Sequence, residues 1–450
     1  MTPAMTRRRY AHLDGLRAVA ALAVMVEHMF GDLIRQAPSA VGSMSTLAQS
    51  VVQNVSLGRF GVALFFLISG FVVPFSIDGE RPLRHFAIAR LFRLYPALWL
   101  ALAVLIAVAW FAGETPRTAT VLANMTMAPP LFGQPWLSPI HWTLFIELLF
   151  YVLVALLFAA GRLRHIGVLL ALSLALIAAT VVPVQLRMHG VVNLPVQYLG
   201  LHLSFLFLGL LLRLWLVERR RGGCLAALVL GLAQFAALLS VAQFSLARGD
   251  NFVMEGLRPV LSAYVLAFVV FLVAIRLERP RSHFLARIGL ISYSMYLFHG
   301  VVNALVYRVL PLTGQPSDIA TMLACTGLTL ALSWLVYLTV ERPMIRLGRR
   351  ISSKRSAPLA ESLSRSDTFN RQADRSGPLA TSDTRTGALA LPASDYRAVP
   401  TQSEIVVEAA SETQASDRLV GAILGTAIAA VTLSWFALLG YVGWAIVEAL

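Results

Sequence analysis

The sequence has 450 residues, of which 58% are hydrophobic and only 13% are charged, and its mean hydropathy is +0.72. Soluble domains carry about 25% charged residues. This composition therefore excludes a soluble enzyme, a disulfide scaffold and a fibrous protein, and it indicates a polytopic membrane protein. The two cysteines, Cys224 and Cys325, lie in or beside apolar runs, where packed free thiols are expected.

Transmembrane helices are predicted wherever about 18 or more consecutive residues are mostly apolar. Ten such runs precede residue 350, at 13–31, 59–78, 95–112, 141–161, 166–185, 198–217, 224–246, 258–276, 286–310 and 319–345. The first run follows three arginines, as a signal peptide does, but it carries Arg17, Glu27 and His28 and lacks a convincing cleavage site. We therefore expect a retained helix and an all-α integral membrane fold with a ten-helix transmembrane core.

The basic residues predict the orientation of these helices. At alternate ends of the ten runs we count 22 Lys and Arg residues against 7 at the opposite ends. Positive charge is retained in cytoplasmic loops, so both ends of the ten-helix core are expected in the cytoplasm. The same distribution accounts for most of the net charge of +14 without a nucleic-acid partner.

Three regions follow from this pattern. Residues 1–350 are predicted to form the membrane domain. Residues 351–418 are rich in Ser, Thr, Arg and Asp and contain one Phe and one Tyr, which predicts a disordered cytoplasmic linker. Residues 419–450 contain an eleventh apolar run, which predicts a C-terminal transmembrane helix and a C-terminus on the periplasmic or extracellular side.

Ionisable side chains in the first run mark a candidate functional site, because charged groups are costly inside a bilayer. Arg17 and His28 are eleven residues apart, on one helix face and about 16 Å apart along the axis. Asp14 lies one turn before Arg17 and is placed to pair with it. The helix thus presents a cation near its cytoplasmic end and a base near its outer end. Snorkelling of Arg17 and a packing role for His28 are the structural alternatives.

A carboxylate in the fourth run is the second such candidate. Glu147 lies roughly 9 Å from the outer end of that helix, with Thr143 and Tyr151 one turn away on its face. The inverted topology of the first and fourth runs predicts that His28 and Glu147 share the outer leaflet and act as an acid–base pair. A structural hydrogen bond between helices is the alternative. His299 is a further intramembrane imidazole, near the middle of the ninth run.

The stretch RPLRHFAIARLFRLYP, residues 81–96, is the third candidate. Arg84, Arg90 and Arg93 recur among apolar residues, as in a basic helix on a membrane surface or in an anion-binding platform facing the cytoplasm. The sequence contains no GxxxxGK, HExxH or CxxC motif, so no P-loop, zinc protease or redox centre is indicated and no metal is expected.

Six segments in order resemble the bacterial membrane acyltransferases of the acyltransferase 3 family. They are LDGLRAVAALAVMVEH (13–28), GRFGVALFFLISGFV (58–72), RHFAIARLFRLYPALWL (84–100), HWTLFIELLFY (141–151), ISYSMYLFHG (291–300) and VERP (340–343). The resemblance implies transfer of an acyl group, often acetyl, from cytoplasmic acyl-CoA to a hydroxyl of a surface or exported glycan. It also implies a bacterial inner-membrane location, a glycan or lipid-linked glycan acceptor, and surrounding membrane lipids.

The resemblance also assigns roles to residues. It implies that His28 is catalytic, as base or as acyl carrier, with Glu147 as a second site residue. It implies that Arg17, Arg90 and Arg93 bind the phosphates of CoA. Further candidates, some of them for stabilising negative charge on the thioester carbonyl, are Asp14, Ser69, Tyr293, Tyr296 and His299. Two departures from the family pattern are Leu148, where many relatives have a second Glu, and Glu27, where relatives tend to be apolar or aromatic.

Two other functions stay open on the sequence. A transporter or flippase would use the intramembrane charges to line a substrate path without covalent chemistry. The same acyl transfer onto a small molecule such as a macrolide is the second alternative, because the sequence does not define the acceptor.

Overall fold

The computed structural model describes residues 11–37, 42–79, 81–190, 198–248, 256–277 and 282–353. All regular structure within these ranges is helical. The helices are α1 (Ala11–Gln36), α2 (Ser43–Asn54), α3 (Leu57–Val72), α4 (Pro82–Phe111), α5 (Thr118–Met125), α6 (Trp142–Ala159), α7 (Ile166–Met188), α8 (Leu199–Leu216), α9 (Gly223–Arg248), α10 (Leu257–Leu277), α11 (His283–Leu290), α12 (Ser292–Val309), α13 (Asp318–Val336) and α14 (Arg342–Ser353). A π-helical turn, Tyr337–Glu341, joins α13 to α14.

Eight helical segments of the described residues are long and apolar enough to cross a membrane. A ninth crossing results if α11 and α12, which meet at a bend of 69°, count as one. Helix α1 coincides with the first predicted span and is 26 residues long, but five of its residues are charged. The protein is thus an all-helical, multi-pass membrane protein, and the count of ten core spans stays a prediction.

The chain divides into a unit of Met1–Arg349 and a unit of Arg350–Leu450. Helix α14 continues to Ser353, past the predicted end of the membrane domain at residue 350, and the division into three regions stays a prediction. Most of the predicted linker, and the predicted C-terminal helix at 419–450, lie outside the described residues.

The outer surface of the helices is apolar. On α9, for example, Leu225, Leu228, Leu232 and Phe235 lie along one helix face and are all exposed. Such a stripe is unfavourable in water, whereas lipid chains solvate it without cost. The exposed apolar faces therefore agree with a membrane environment.

Helix α8 is apolar on all sides and almost wholly buried, as expected for a helix at the centre of a membrane bundle. It crosses α3 at a reciprocal pair of glycines. A Cβ on Gly70 would lie 1.8 Å from the carbonyl oxygen of Leu206, and a Cβ on Gly209 would lie 2.4 Å from that of Leu67. Small residues at such crossings permit close backbone approach. This contact fixes the position of Ser69, the neighbour of Gly70.

Helix α4 differs from the sequence expectation. The sequence treated the basic stretch at 81–96 and the third span at 95–112 as separate segments, with a surface helix and an anion-binding platform both open, but Pro82–Phe111 form one continuous helix. Pro96 lies inside it and removes one backbone hydrogen bond of the helix. Continuity places Arg90 and Arg93 on a transmembrane helix rather than on the membrane surface, whereas Arg84 is exposed.

Helices α1 and α12 run parallel to each other. Gly289, just before α12, lies against the backbone of Asp14, where a Cβ would be 1.8 Å from the carbonyl oxygen. Further along both chains, Met25 and Met295 belong to one buried cluster. Both chains advance in the same direction from these contacts, as expected if α1 and α12 are the first and ninth of the predicted spans.

Candidate active site

A cavity that is partly open to the outside lies between α1, α3, α4, α6 and α12. Its apolar walls come from residues such as Phe65 and Phe66. Its polar lining comprises Arg17, Ser69, Arg90, Arg93, Thr143, Glu147, Tyr151, Ser292, Tyr293 and Tyr296. The cavity therefore brings together all three predicted arginines, Glu147 and the three predicted hydroxyl donors, from helices that are far apart in sequence.

Three arginines share this cavity, and each is held differently. Arg17 pairs with Asp14 at 2.9 Å, as the one-turn spacing predicted. The Nη2 of Arg90 donates to Ser76 Oγ at 2.7 Å, and its guanidinium lies over the ring of Tyr151 at 5.1 Å. The Nε of Arg90 is buried without a hydrogen-bond partner. Arg93 is close enough to Arg17 and Arg90 for their charges to repel. Such a cluster of cations favours binding of an anion.

Glu147 lies among these cations. Its Oε1 accepts hydrogen bonds from Ser69 Oγ at 3.3 Å and from the hydroxyl of Tyr151. Its charge attracts those of Arg17 and Arg90. Because these contacts partly neutralise the arginine cluster, a polyanion entering the cavity would compete with Glu147 for the cations.

His28 lies outside the residues that line the cavity and contacts His299 instead. The two ring centroids are 4.9 Å apart, and His28 Nδ1 lies 3.3 Å from His299 Nε2. His28 Nδ1 is also 2.8 Å from the carbonyl oxygen of Val24. His299 Nδ1 lies 2.8 Å from the carbonyl oxygen of Tyr296 and 3.1 Å from that of Met295.

These distances assign the tautomers of the two histidines. A nitrogen beside a carbonyl oxygen must carry the proton, so His299 is protonated on Nδ1 and accepts on Nε2. His28 is likewise protonated on Nδ1, and this proton points to both Val24 and His299. The Nε2 of neutral His28 is therefore unprotonated, which is the state that a general base requires.

Tyr296 separates the cavity from the histidine pair. It lines the cavity, and its ring centroid lies 6.1 Å from that of His299. Its hydroxyl donates to the carbonyl oxygen of Ile140 at 2.6 Å and lies 2.7 Å from Thr143 Oγ1. Tyr296 and Thr143, which are hydrogen-bonded to each other, therefore lie at the part of the cavity wall nearest to His299.

The predicted acid–base pairing of His28 with Glu147 is absent from the structure, in which both residues are described. His28 bonds Val24 and His299, whereas Glu147 bonds Ser69 and Tyr151. Position along the membrane normal, which the sequence argument used, does not specify the direction in which a side chain points. Each residue keeps its candidate role, but the two belong to different parts of the site.

The hydroxyl groups nominated to stabilise the thioester oxyanion already donate elsewhere. Ser69 donates to Glu147, Tyr293 donates to the carbonyl oxygen of Leu94 at 2.8 Å, and Tyr296 donates to that of Ile140. Oxyanion stabilisation by any of them requires exchange of the existing hydrogen bond on substrate binding.

Sequence reasoning did not select Glu341 as a site residue. It is buried at the end of the π-helical turn, hydrogen-bonded by Ser294, and its charge interacts with that of Arg93. Turns of this type are frequent at functional sites. In the sequence, Glu341 was recognisable as a carboxylate directly after a long apolar run, but it entered the prediction only as part of the VERP segment.

Comparison with known proteins identifies the family. The sequence profile of the acyltransferase 3 family, described as an acyltransferase domain, matches residues 10–338. The chain belongs to this family. It is therefore an acyltransferase, and the resemblance seen in its sequence motifs is confirmed.

A curated relative agrees with this family. The chain is 30% identical over 321 residues to the exopolysaccharide production protein ExoZ of Rhizobium meliloti (strain 1021). The alignment covers 67% of this chain and 94% of the relative. No solved structure gives a significant match. The described residues contain no group of three or more His, Cys, Asp or Glu side chains arranged to hold a metal ion.

Proposed function

We propose that the protein is an O-acyltransferase that moves an acyl group, first of all acetyl, from cytoplasmic acyl-CoA to a hydroxyl of an exported polysaccharide. One observation carries the proposal: a cavity with three arginines at its polar wall ends at Tyr296, whose ring lies beside His299. His299 in turn contacts His28, whose Nε2 makes no hydrogen bond within the described residues. The similarity to a protein named for exopolysaccharide production supports a polysaccharide acceptor.

The arginine cluster suits the donor. CoA carries several phosphate groups, and Arg17, Arg90 and Arg93 supply fixed positive charge for them. The unpaired Nε of Arg90 offers a hydrogen-bond donor that the protein itself does not use. The distribution of basic residues puts this end of the helices in the cytoplasm, where acyl-CoA is made.

The distance between the arginine cavity and His28 also suits acyl-CoA as the donor. Arg17 and His28 are about 16 Å apart along α1, which the extended pantetheine arm spans approximately. The thioester would pass Tyr296 to meet His28, so the hydrogen bond between Tyr296 and Thr143 opens during each transfer. In this arrangement the donor enters from the cytoplasm and the acceptor from the opposite side of the membrane.

The chemistry is an acyl transfer with one proton shuttled by His28. The free Nε2 accepts the proton of the acceptor hydroxyl while the oxygen attacks the thioester carbonyl. The C–S bond then breaks, and the CoA thiolate takes the proton back from the imidazolium. The products are the acylated polysaccharide and CoA. Direct transfer requires no covalent enzyme intermediate, although His28 is equally able to accept the acyl group first.

This function predicts transfer of radiolabel from acetyl-CoA. Bacterial membranes that contain the protein should label the extracted polysaccharide fraction, whereas membranes without it should not. The label should be released by mild base, as an ester is. A transporter or flippase would leave the polysaccharide unlabelled with acetyl-CoA and with every other acyl-CoA supplied. Label in a small lipid or macrolide fraction instead would contradict a polysaccharide acceptor but would still support acyl transfer from acetyl-CoA.

A further inference from the structure

Helices α12 and α13 form an antiparallel pair that contacts fix at both ends. At one end the Tyr307 hydroxyl lies beside the thiol of Cys325. At the other end Ser294 donates a hydrogen bond to Glu341, just beyond α13. Each turn back along α12 is therefore matched by one turn forward along α13. This register brings Thr329 to the level of Asn303 and Ser333 to the level of His299.

Polar side chains on these facing turns have no hydrogen-bond partner. Both Nδ2 and Oδ1 of Asn303 are buried and unpaired, as are Thr329 Oγ1 and Ser333 Oγ. The three residues are 2%, 0% and 0% exposed. Serine and threonine inside helices usually bond to the carbonyl one turn back, as Thr326 does to Met322, but these two do not. Native proteins rarely leave so many buried polar atoms unsatisfied in one place.

The outer end of this stripe also carries polar groups. Tyr307, one turn beyond Asn303, has a buried hydroxyl without a well-formed hydrogen bond. The carboxylate of Asp32 is its neighbour, and Asp32 lies one turn beyond His28 on the parallel helix α1. The unpaired groups thus extend from the level of the histidine pair to the level of Asp32.

We propose that Asn303, Thr329 and Ser333 hold a file of water molecules that connects the histidine pair with the Asp32–Tyr307 end of the helices. Buried waters typically make about three hydrogen bonds to polar groups that otherwise lack partners. Small side chains that are wholly enclosed leave no surface for a sugar ring, whereas single waters match the spacing of one helical turn. Two hydroxyls and an amide supply both donors and acceptors to such a file.

The file gives the histidine pair a route for proton exchange, and this consequence rests on the proposed function. A proton passes between water molecules by exchange of hydrogen bonds, so a proton that enters the file at one end is matched by one that leaves at the other. The file equilibrates the histidine pair with the Asp32 end, whereas the proton of acyl transfer passes from the acceptor hydroxyl to His28 and on to the CoA thiolate. Burial of unpaired polar atoms, which is costly in a dry helix interface, is thereby explained.

X-ray radiolytic footprinting of the purified full-length protein tests for this water. Hydroxyl radicals formed from bound water modify the reactive side chains beside it, here Tyr307 and Cys325. Cys325 is fully buried, so bulk water does not reach it, and the exposed Cys224 serves as the reference. We expect rapid modification of Cys325 in the wild type. We expect a several-fold slower rate in Thr329→Val, which keeps the shape of the side chain and removes the hydroxyl.

A matched substitution controls for effects on folding. Thr326→Val makes the same change one turn away, at a hydroxyl that bonds to the helix itself, and should leave the modification of Cys325 unchanged. Ser333→Ala should act like Thr329→Val. Absence of modification at Cys325 in the wild type, or equal rates in all variants, would overturn the proposal. Footprinting needs no substrate. Modification of Cys325 that depends on Thr329, in a protein without transfer activity, would therefore contradict the proposed function but not the water file.

Discussion

Replacing His28 by alanine is expected to lower acyl transfer by at least about 100-fold, the usual contribution of a general base. The reason is the Nε2 of His28, which makes no hydrogen bond within the described residues and is available to accept the proton of the acceptor hydroxyl. The variant His28→Gln distinguishes loss of the base from loss of packing, because its amide preserves hydrogen bonding to Val24 and His299 but is not basic. Both variants should be equally inactive. The rate of labelled transfer at saturating acetyl-CoA measures this.

Three further variants complete this test. His189→Ala, at an exposed histidine after α7, should transfer at the wild-type rate. His299→Gln should retain more activity than His299→Ala, because the amide oxygen still accepts from His28 Nδ1, and neither should change the KM for acetyl-CoA. Normal transfer by folded His28→Ala protein would remove His28 from the chemistry and leave it a packing residue.

Replacing Arg90 by alanine is expected to raise the KM for acetyl-CoA by about 10- to 150-fold, since hydrogen bonds to charged groups contribute about 1.5–3 kcal/mol. Of the three arginines that line the cavity, Arg90 is the one whose buried Nε lacks a hydrogen-bond partner, so its hydrogen bonding is incomplete without a ligand. Lysine at this position should recover only part of the affinity, because it lacks the planar fork that binds phosphate. Steady-state kinetics with varied acetyl-CoA give the values.

Arg84 provides the matched control for Arg90. It lies on the same helix, is exposed, and does not line the cavity, so Arg84→Ala should leave the KM unchanged. Acetyl-dephospho-CoA, which lacks one phosphate, adds a second readout. The wild type should discriminate against it, and the Arg90 variant should discriminate less if Arg90 contacts that phosphate. Loss of stability in Arg90→Ala with an unchanged KM would show that Arg90 only packs against Tyr151.

Local features of the site were predictable from the sequence. The Asp14–Arg17 pair and the contact of Tyr151 with Glu147 both follow from helix periodicity, because residues three or four apart share a face. The apolar runs likewise located the helices, since a helix that crosses lipid must bond its backbone internally. These inferences use only short-range geometry, which the sequence specifies directly.

Contacts between helices were less predictable. His28 and His299 are 271 residues apart, and only the parallel packing of α1 against α12 brings their rings together. Depth along the membrane normal suggested Glu147 as the partner of His28, but the rotation of α6 turns Glu147 toward Ser69 on α3 instead. Helix rotation is set by contacts such as the Gly70–Gly209 crossing, which a single sequence does not reveal.

The most direct test of the account is the side of the membrane from which acetyl-CoA is used. Sealed inside-out vesicles, with the cytoplasmic face outward, and sealed right-side-out vesicles should both receive labelled acetyl-CoA, which does not cross the bilayer. We expect labelled polysaccharide with inside-out vesicles alone, because the orientation predicted from the basic residues places the arginine cavity toward the cytoplasm. Labelling with intact right-side-out vesicles, or with neither preparation, would contradict it.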